Sequence, residues 1–578
     1  MKYLLVSIFY LISVESIYSQ KHDNIWHLGY DWNLFTDYIE GNLAYFDMKG
    51  IHIEEFNESP VDFWCSNYTF CDSIGNMVYY TNGAVIVDKE NKIVANSELV
   101  NDTLDWDLKF GNFTWNGHYG IQFETNKYLF IYSVEAGFRP LEIYIMEMSP
   151  DGGGLKVNYK DKLIVKDTFL FGNFQLCKHA NGRDWWLVCP KADSNVFFTT
   201  LITPDTIYPP IKQAIGEIRN SYDAWGQAKF SPDGEHYVFS SFICGVNLYD
   251  FDRTMGVFSN YRAYSFEVNH PFLEGARVSA VEFSPNSQYL YFANSVDMWQ
   301  LDLNESQDTI DPMLIGTWDG FLDSALISYY PRETLFFHAQ LAPDGKIYWV
   351  TLPNTIYMNV IEYPNRKGTT CFLNQRSVQF PNINSINMST SPNYRLGPLD
   401  GSPADTLGID NIPVANFRAD QDTLDYLDFQ FQDLSYYEPS TWSWDFGDGT
   451  TSSDTSPVHS YAKQGVYVVC LTVSNINGTS TICDTLVLGT NHTSSSASLK
   501  EILVFPNPAS DQVKFIINDY YPVKASLRLM DSNGKQVLIK QVFHGWNDID
   551  VEDLPKGMYY YDIADEGVRI YSGKLMAQ

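Results

Sequence analysis

The 578-residue sequence holds 8 cysteines, whose spacing separates metal sites, thiol chemistry and disulfides. No spacing is a paired C-x-x-C, which argues against zinc. Cys470 and Cys483 flank a run centred on Asn477-Gly478, a turn dipeptide. With Ile476 and Asn477 as a two-residue loop, Cys470 falls directly opposite Cys483. Cross-strand neighbours have Cβ atoms about 4.5–5.5 Å apart, close enough for a disulfide after small adjustment. Cys177 and Cys189 flank Asn181-Gly182 in looser register and form a second candidate pair. Cys65 and Cys71 are close in sequence, and Cys244 and Cys371 are left over. His179 and Asp184 flank the same Asn181-Gly182 turn. A Cys-His catalytic pair needs a thiolate, and Cys177 has a disulfide partner to hand, so these residues are read as structural.

Carboxylates are the other candidates. Asp420, Asp422 and Asp425 lie in ADQDTLD, and Asp445, Asp448 and Asp454 surround FGDG. They could supply oxygens to a structural calcium ion or simply form turns. Calcium needs about six to eight oxygens in one place, and neither run has the spacing of an EF-hand loop. No HExxH, GxSxG or GxxxxGK[ST] motif occurs. No catalytic, cofactor-binding or metal residue is therefore assigned. A carboxylate pair for glycoside hydrolysis is set by the fold, so the sequence leaves it open.

The elements that must carry these residues are all β. Aromatic residues make up 16% of the chain, a composition that favours strands. The net charge of −32 and the lack of a basic patch exclude nucleic acid as a partner. Lys2, an apolar run from Tyr3 to Val14, and small residues Ser16 and Ser19 form a signal-peptide layout over residues 1–19. That apolar run falls short of the about 20 residues needed to span a bilayer, and no later segment is long and apolar enough. Export makes disulfides permissible.

Residues 20–396 repeat internally. AKFSPDGEHYVFSS, VEFSPNSQYLYFANS and AQLAPDGKIYWVT place Pro232, Pro285 and Pro343 at the same point of a turn, and MSPDGGG at Met148 is a weaker copy. Repeats of this kind, each four short strands long, predict a β-propeller of about seven blades. Proline fixes φ and Asp-Gly makes the tight turn, so each hairpin starts in register. The ensemble, with IWHLGYDW and KHANGRDWWLV, resembles the WD-repeat-like propeller region of large exported Bacteroidetes proteins.

GPLDGSPADTLGIDN marks a linker over residues 397–411. Residues 412–488 follow, with WSWDFGDGT, PVHSY and GVYVVCLTV. These motifs resemble a polycystic-kidney-disease (PKD) type domain, which implies an immunoglobulin-like β-sandwich with Trp444 and Phe446 in its core. A Ser/Thr-rich linker covers residues 489–500. In residues 501–578, VFPNPASD, DSNGK, LPKGMYYY and the closing GKLMAQ resemble the type A C-terminal sorting domain of the type IX secretion system. The resemblance implies a small β-sandwich and sorting-motif residues Pro506, Asn507, Pro508, Gly534, Gly557, Gly573 and Lys574. It also implies the type IX machinery as a partner, and release or display at the cell surface. The final Met-Ala-Gln departs from the aliphatic Val more usual in that family.

The sequence thus predicts a secreted or cell-surface binding or structural protein. Its propeller would present a face to glycans or surface proteins, with the PKD-type domain as a spacer or contact module. The rival expectation is a secreted hydrolase with its active site in the propeller channel.

Overall fold

The computed structural model describes residues 20–29, 39–47, 50–63, 66–99, 111, 117–124, 126–135, 140–170, 172–219, 226–241, 245–264, 280–305, 311–323, 332–384, 386, 388–422, 427–488, 503–505, 512–517, 525–531, 535–542, 545–551, 554–565 and 568–577. The signal-peptide residues 1–19, Cys65, Cys244 and Asp425 lie outside the described residues, as do Pro506, Asn507, Pro508 and Gly534. The chain divides into two compact units, one of residues 1–420 and 427–488 and the other of residues 421–426 and 489–578. The described secondary structure is strand apart from one short 3₁₀ turn at Gly368–Cys371.

Within residues 25–384, seven antiparallel meanders of three or four strands follow one another, with a two-stranded ribbon at Leu322–Asp323 and Arg332–Glu333. First strands of successive meanders pack on one another, as Ile25–Leu28 does on Tyr68–Cys71 and Ala280–Phe283 on Leu335–Leu341, which makes a propeller ring. The inner strands include Ile25–Leu28, Tyr68–Cys71, Gln175–Lys178, Ala228–Phe230, Ala280–Phe283 and Leu335–Leu341. The ring closes where the last meander meets the first. There Trp26 and Phe46 share one core with Tyr348 and Val350. At the same seam, Asn42 donates to the Asn382 carbonyl at 3.2 Å and accepts from its N–H at 3.1 Å.

The F-S-P-D-G turns join the first and second strands of their meanders. Ser231 N–H donates to the His236 carbonyl at 2.9 Å and Gly234 N–H to the Ser231 carbonyl at 2.8 Å. Gly234 and Gly345 take left-handed φ values of 74° and 76°, and Ser287 takes 59° at the same place in the second copy. The acid before each glycine braces its own turn, since Asp233 accepts from Glu235 N–H and Asp344 from Lys346 N–H. MSPDGGG is not such a turn. It joins the last two strands of its meander, with Asp151 opposite Gly154, so its likeness is local turn chemistry without the same place in the blade. The same turn recurs instead at Asp72–Asn76 and at His179–Asp184, where His179 N–H donates to the Asp184 carbonyl at 2.8 Å and Gly182 N–H to the His179 carbonyl at 3.0 Å.

Residues up to 488 end in a two-sheet sandwich. One sheet has four strands in the order Thr451–Ser452, Thr441–Asp445, Gly465–Ser474, Thr479–Leu488. Alternation decides its faces: Tyr467, Val469, Leu471 and Val473 are buried while Val466 and Val468 are exposed. Trp444 and Phe446 are buried in the core between the sheets, as their spacing requires.

The second unit is also a two-sheet sandwich. Val513, Phe515, Leu527, Leu529, Ile549, Tyr561, Ile563 and Leu575 form its core. Gly557 opens the strand Gly557–Asp565, and Gly573 and Lys574 lie opposite Tyr561 and Tyr560 on the next strand.

The two cysteine pairs behave differently. Cys470 and Cys483 are bonded, and they face each other in a hairpin whose tip residue, Ile476, is 98% exposed. Cys177 and Cys189 are free and buried. Cys177 lies opposite Trp186, and an odd step of three residues along that strand turns Cys189 to the other face of the sheet. The two thiols sit in separate cores, with Trp186 and Tyr237 around one and Trp185 and Phe198 around the other. Cys71 and Cys371 are likewise free and buried.

Candidate functional site

A cavity of about 720 Å³ opens on the propeller face that carries the Pro232, Pro285 and Pro343 turns. It is lined by these turns, by residues 391–393 and 395–399, and by Asp433–Glu438 of the sandwich. Lys229, Glu282 and Gln340 line its floor from three successive inner strands.

The chain itself fills much of the space along the inner strands. After its last propeller strand it runs back past them through Met388–Leu396, several of whose side chains are buried. Ser389 Oγ accepts from Thr69 N–H at 3.1 Å, and the Tyr394 hydroxyl donates to the Gly120 carbonyl. Tyr394 stacks on His22 with ring centroids 4.0 Å apart and meets Trp185 edge-on at 5.3 Å. Asn393 Nδ2 donates to the Pro232 carbonyl at 2.7 Å. Arg395 forms a two-pronged ion pair with Asp23, at 2.5 and 2.7 Å.

Buried charge surrounds this segment. Lys178 Nζ donates to the Tyr394 carbonyl at 2.7 Å. Burial, with the Arg253 guanidinium nearby, pulls its ammonium down to about 7. Arg253 donates to the carbonyls of Lys178, His179 and Gly397, stitching the inner strand to the returning segment. Burial, with Lys178 close by, holds His22 down at about 4. Burial alone holds His27 and His118 near 3. These imidazoles are therefore neutral at physiological pH. The thiols are equally unreactive: burial pushes Cys177 up to about 12 and Cys371 to about 11.

The sandwich seats on the propeller beside the cavity. Arg418 is 2% exposed and donates to the carbonyls of Asp344 and Glu362 across the boundary while gripping Asp420 at 2.9 Å. Arg366 reaches Gln430 at 3.4 Å.

The acidic runs do not converge. Asp420 holds Arg418, Asp445 caps Gly447 N–H at 2.9 Å, and Asp448 pairs with His459 at 2.9 Å and caps Thr450. The Asp454 carbonyl accepts from the Trp444 indole at 2.9 Å. Among the described residues no group of three or more His, Cys, Asp or Glu is arranged to hold a metal ion. His179 and Asp184 are brought together, through Asn181, as parts of one turn: Asn181 N–H donates to His179 Nδ1 at 3.0 Å and Asn181 Nδ2 to Asp184 at 2.8 Å. In the second unit, Lys574 Nζ lies 5.8 Å from the centre of the Tyr560 ring and Arg528 pairs with Asp562 at 2.8 Å.

Lys229, Glu282 and Gln340 are the site residues that sequence reasoning missed. Their signal was present: each stands two residues before the Ser or Ala that opens its turn, in AKFSP, VEFSP and AQLAP. Aligning the repeats on proline stacks the three on one another.

Comparison with known proteins agrees with this division of the chain. Residues 410–488 match the PKD domain model, and residues 503–578 match the secretion system C-terminal sorting domain model. A microbial collagenase of Vibrio alginolyticus is 48% identical over 46 residues, which are 8% of this chain and 6% of the collagenase. Collagenase ColA of Bacillus cereus is 38% identical over 66 residues, 11% of this chain and 7% of that protein. The chain thus spans less than a tenth of the curated relatives it matches. Among solved structures, the PKD1 domain of the Vibrio cholerae metalloprotease PrtV is 33% identical, with 14% of this chain and 98% of that one covered and a TM-score of 0.13. No helix among the described residues is long and apolar enough to cross a membrane. The chain carries a PKD domain over residues 410–488 and a type IX secretion C-terminal sorting domain over residues 503–578, which makes it a secreted or cell-surface protein.

Proposed function

We propose that this is a binding protein of the cell exterior, in which propeller and PKD domain together form the recognition unit and the sorting domain delivers it. The observation that carries the reading is the cavity of about 720 Å³ bounded by propeller turns on one side and PKD residues on the other. A space of this size suits a polar small molecule, a short glycan segment or a loop of a surface protein. Its walls mix Lys229, Arg253 and Arg395 with Asp23, Asp233 and Glu282, so it favours a neutral, hydrogen-bonding ligand over a highly charged one. A PKD domain that served only as a spacer would not need the buried Arg418 seat.

What speaks against hydrolysis in the propeller channel is its occupant. Tyr394 and its neighbours fill the space where a substrate would sit, and the histidines beside it are buried and neutral. The sorting domain supports export by the type IX machinery, with the body displayed or released.

Glycan and surface-protein arrays probed with the exported chain test the binding reading. The expected result is a hit that weakens at least tenfold in Thr455→Trp, which places an indole at the cavity rim. Arrays blank for the unaltered chain, or a hit indifferent to that change, would sink the assignment. For export, deletion of residues 501–578 should hold the protein in the periplasm, and normal surface display of the truncated chain would refute it.

A further inference from the structure

We propose that Lys229 and Gln340 become joined by a self-formed isopeptide bond, with Glu282 on the strand between them carrying the proton. The bond would tie the first strands of two propeller meanders together across a third.

The geometry assembles the three groups that such a reaction needs. Lys229 Nζ lies 2.5 Å from Gln340 Oε1 and 2.9 Å from Glu282 Oε2. All three residues are buried. Bond formation needs the nitrogen within about 3–3.5 Å of the amide carbon. Nζ already lies 2.5 Å from Oε1, the oxygen bonded to that carbon. The amide is also oriented: Gln340 Nε2 donates to the Leu341 carbonyl at 3.0 Å, which turns Oε1 towards the lysine. Glu282 is fixed by two backbone donors, Phe283 N–H at 3.0 Å and Leu341 N–H at 2.9 Å. The Gln227 side chain adds rigidity, because its Nε2 donates to the Ala339 carbonyl at 2.7 Å and its Oε1 accepts from the Ala339 N–H at 3.1 Å.

The surroundings favour the neutral amine. Burial lowers the Lys229 ammonium, against the pull of the Glu282 carboxylate. A buried ammonium gives up a proton more readily than an exposed one, because burial penalises its charge. Two other meanders do not repeat these groups: the same strand position holds Phe70 in one and Cys177 in the other.

The step balances without an oxidant or a cofactor. Nζ gives its proton to Glu282 and its lone pair attacks Cδ of Gln340. The carbonyl electrons move onto Oε1, and Glu282 returns the proton to the leaving Nε2. As the carbonyl re-forms, the Cδ–Nε2 bond breaks and the second Nζ proton passes through Glu282. The lysine ammonium and the glutamine amide become one secondary amide and one ammonium ion, and Glu282 ends as the carboxylate it began as. Holding amine and amide together raises their effective concentration by orders of magnitude over free reactants.

The test needs only the exported full chain. Its intact mass should fall short of the sequence mass, counted from its own N-terminus, by one ammonia beyond the two hydrogens of the disulfide. A tryptic digest should contain the Lys229 and Gln340 peptides linked, with cleavage after Lys229 lost. Complete cleavage after Lys229, with both peptides found separately, would overturn the proposal and leave a hydrogen-bonded ion pair. In Glu282→Gln the linked peptide should drop at least tenfold while circular dichroism still reports a β-rich fold. An undiminished link there would overturn the role of Glu282. Lys229→Arg, which keeps a cation but lacks a transferable primary amine, should abolish the link.

Discussion

The Arg418 guanidinium of the PKD domain donates to the main-chain carbonyl of Asp344, the residue that shapes the third propeller turn. A turn recognised in the sequence as a blade marker is thus also the seat of the next domain. The buried cation has three acceptors: two carbonyls from the propeller and the Asp420 carboxylate from its own strand.

Arg418→Ala should therefore uncouple the two domains. Removing one partner of a buried pair costs about 3–5 kcal/mol, because the remaining carboxylate and carbonyls lose their donor. Calorimetry of residues 20–488 should show the propeller and PKD transitions further apart than in the unaltered chain, with new protease cleavage in residues 397–411. Transitions no further apart would show that the domains hold together without this residue.

Arg395 is the clamp on the returning segment. Arg395→Ala leaves Asp23 without its cation, at a similar cost of about 3–5 kcal/mol. Amide exchange in residues 388–399 should accelerate strongly while that of the outer propeller strands stays unchanged. If exchange rises evenly over the propeller, the ion pair holds the whole ring and not this segment.

The Cys470–Cys483 bridge closes a 13-residue separation. In the chain-entropy account a loop of about 15 residues contributes roughly 3 kcal/mol. Cys470→Ser with Cys483→Ser should lower the PKD melting temperature by several degrees and leave the propeller transition in place. Cys177, Cys189, Cys71 and Cys371 should react with a thiol reagent only after unfolding, since all four are buried. Protection of Cys177 and Cys189 from that reagent even in denaturant would reveal the bridge that their opposite-facing positions exclude.

Acid should weaken the propeller before it weakens the PKD domain. His22, His27 and His118 are held neutral by burial, at about 4, 3 and 3 against 6.5 when exposed. Below pH 6.5 the unfolded chain binds protons that the folded chain refuses. Stability is then full above about 6.5 and falls as pH drops towards 4 and 3. The slope is about 1.4 kcal/mol per pH unit for each histidine. Denaturant titrations at pH 7, 5.5 and 4.5 measure it, and His118→Phe should flatten the propeller curve. A slope unchanged in that variant would show that His118 does not contribute.

Much of the fold was legible because its signals are local. Alternation in Gly465–Ser474 sends Tyr467, Val469, Leu471 and Val473 to the core, and the two-residue loop Ile476-Asn477, braced by the Asn475 side chain, sets the register that pairs Cys470 with Cys483. The Pro-Asp-Gly turns are equally local, and their hydrogen bonds close within five residues. Local signals also misled. MSPDGGG has the right turn residues at the wrong place in its meander, and Cys177 with Cys189 flank a real turn but face opposite ways.

The sequence by itself determined strand pattern, turn chemistry, the PKD domain and the sorting domain, because each depends on neighbours a few residues apart. Tertiary structure alone decided what sits at the centre. Tyr394 reaches Gly120, Arg395 reaches Asp23, Arg418 reaches Asp344, and Lys229 reaches both Glu282 and Gln340. These partners are far apart along the chain and meet only because ring closure brings successive inner strands together. No periodicity or turn signal encodes such a meeting, so the cavity and its buried charges become visible only in the folded molecule.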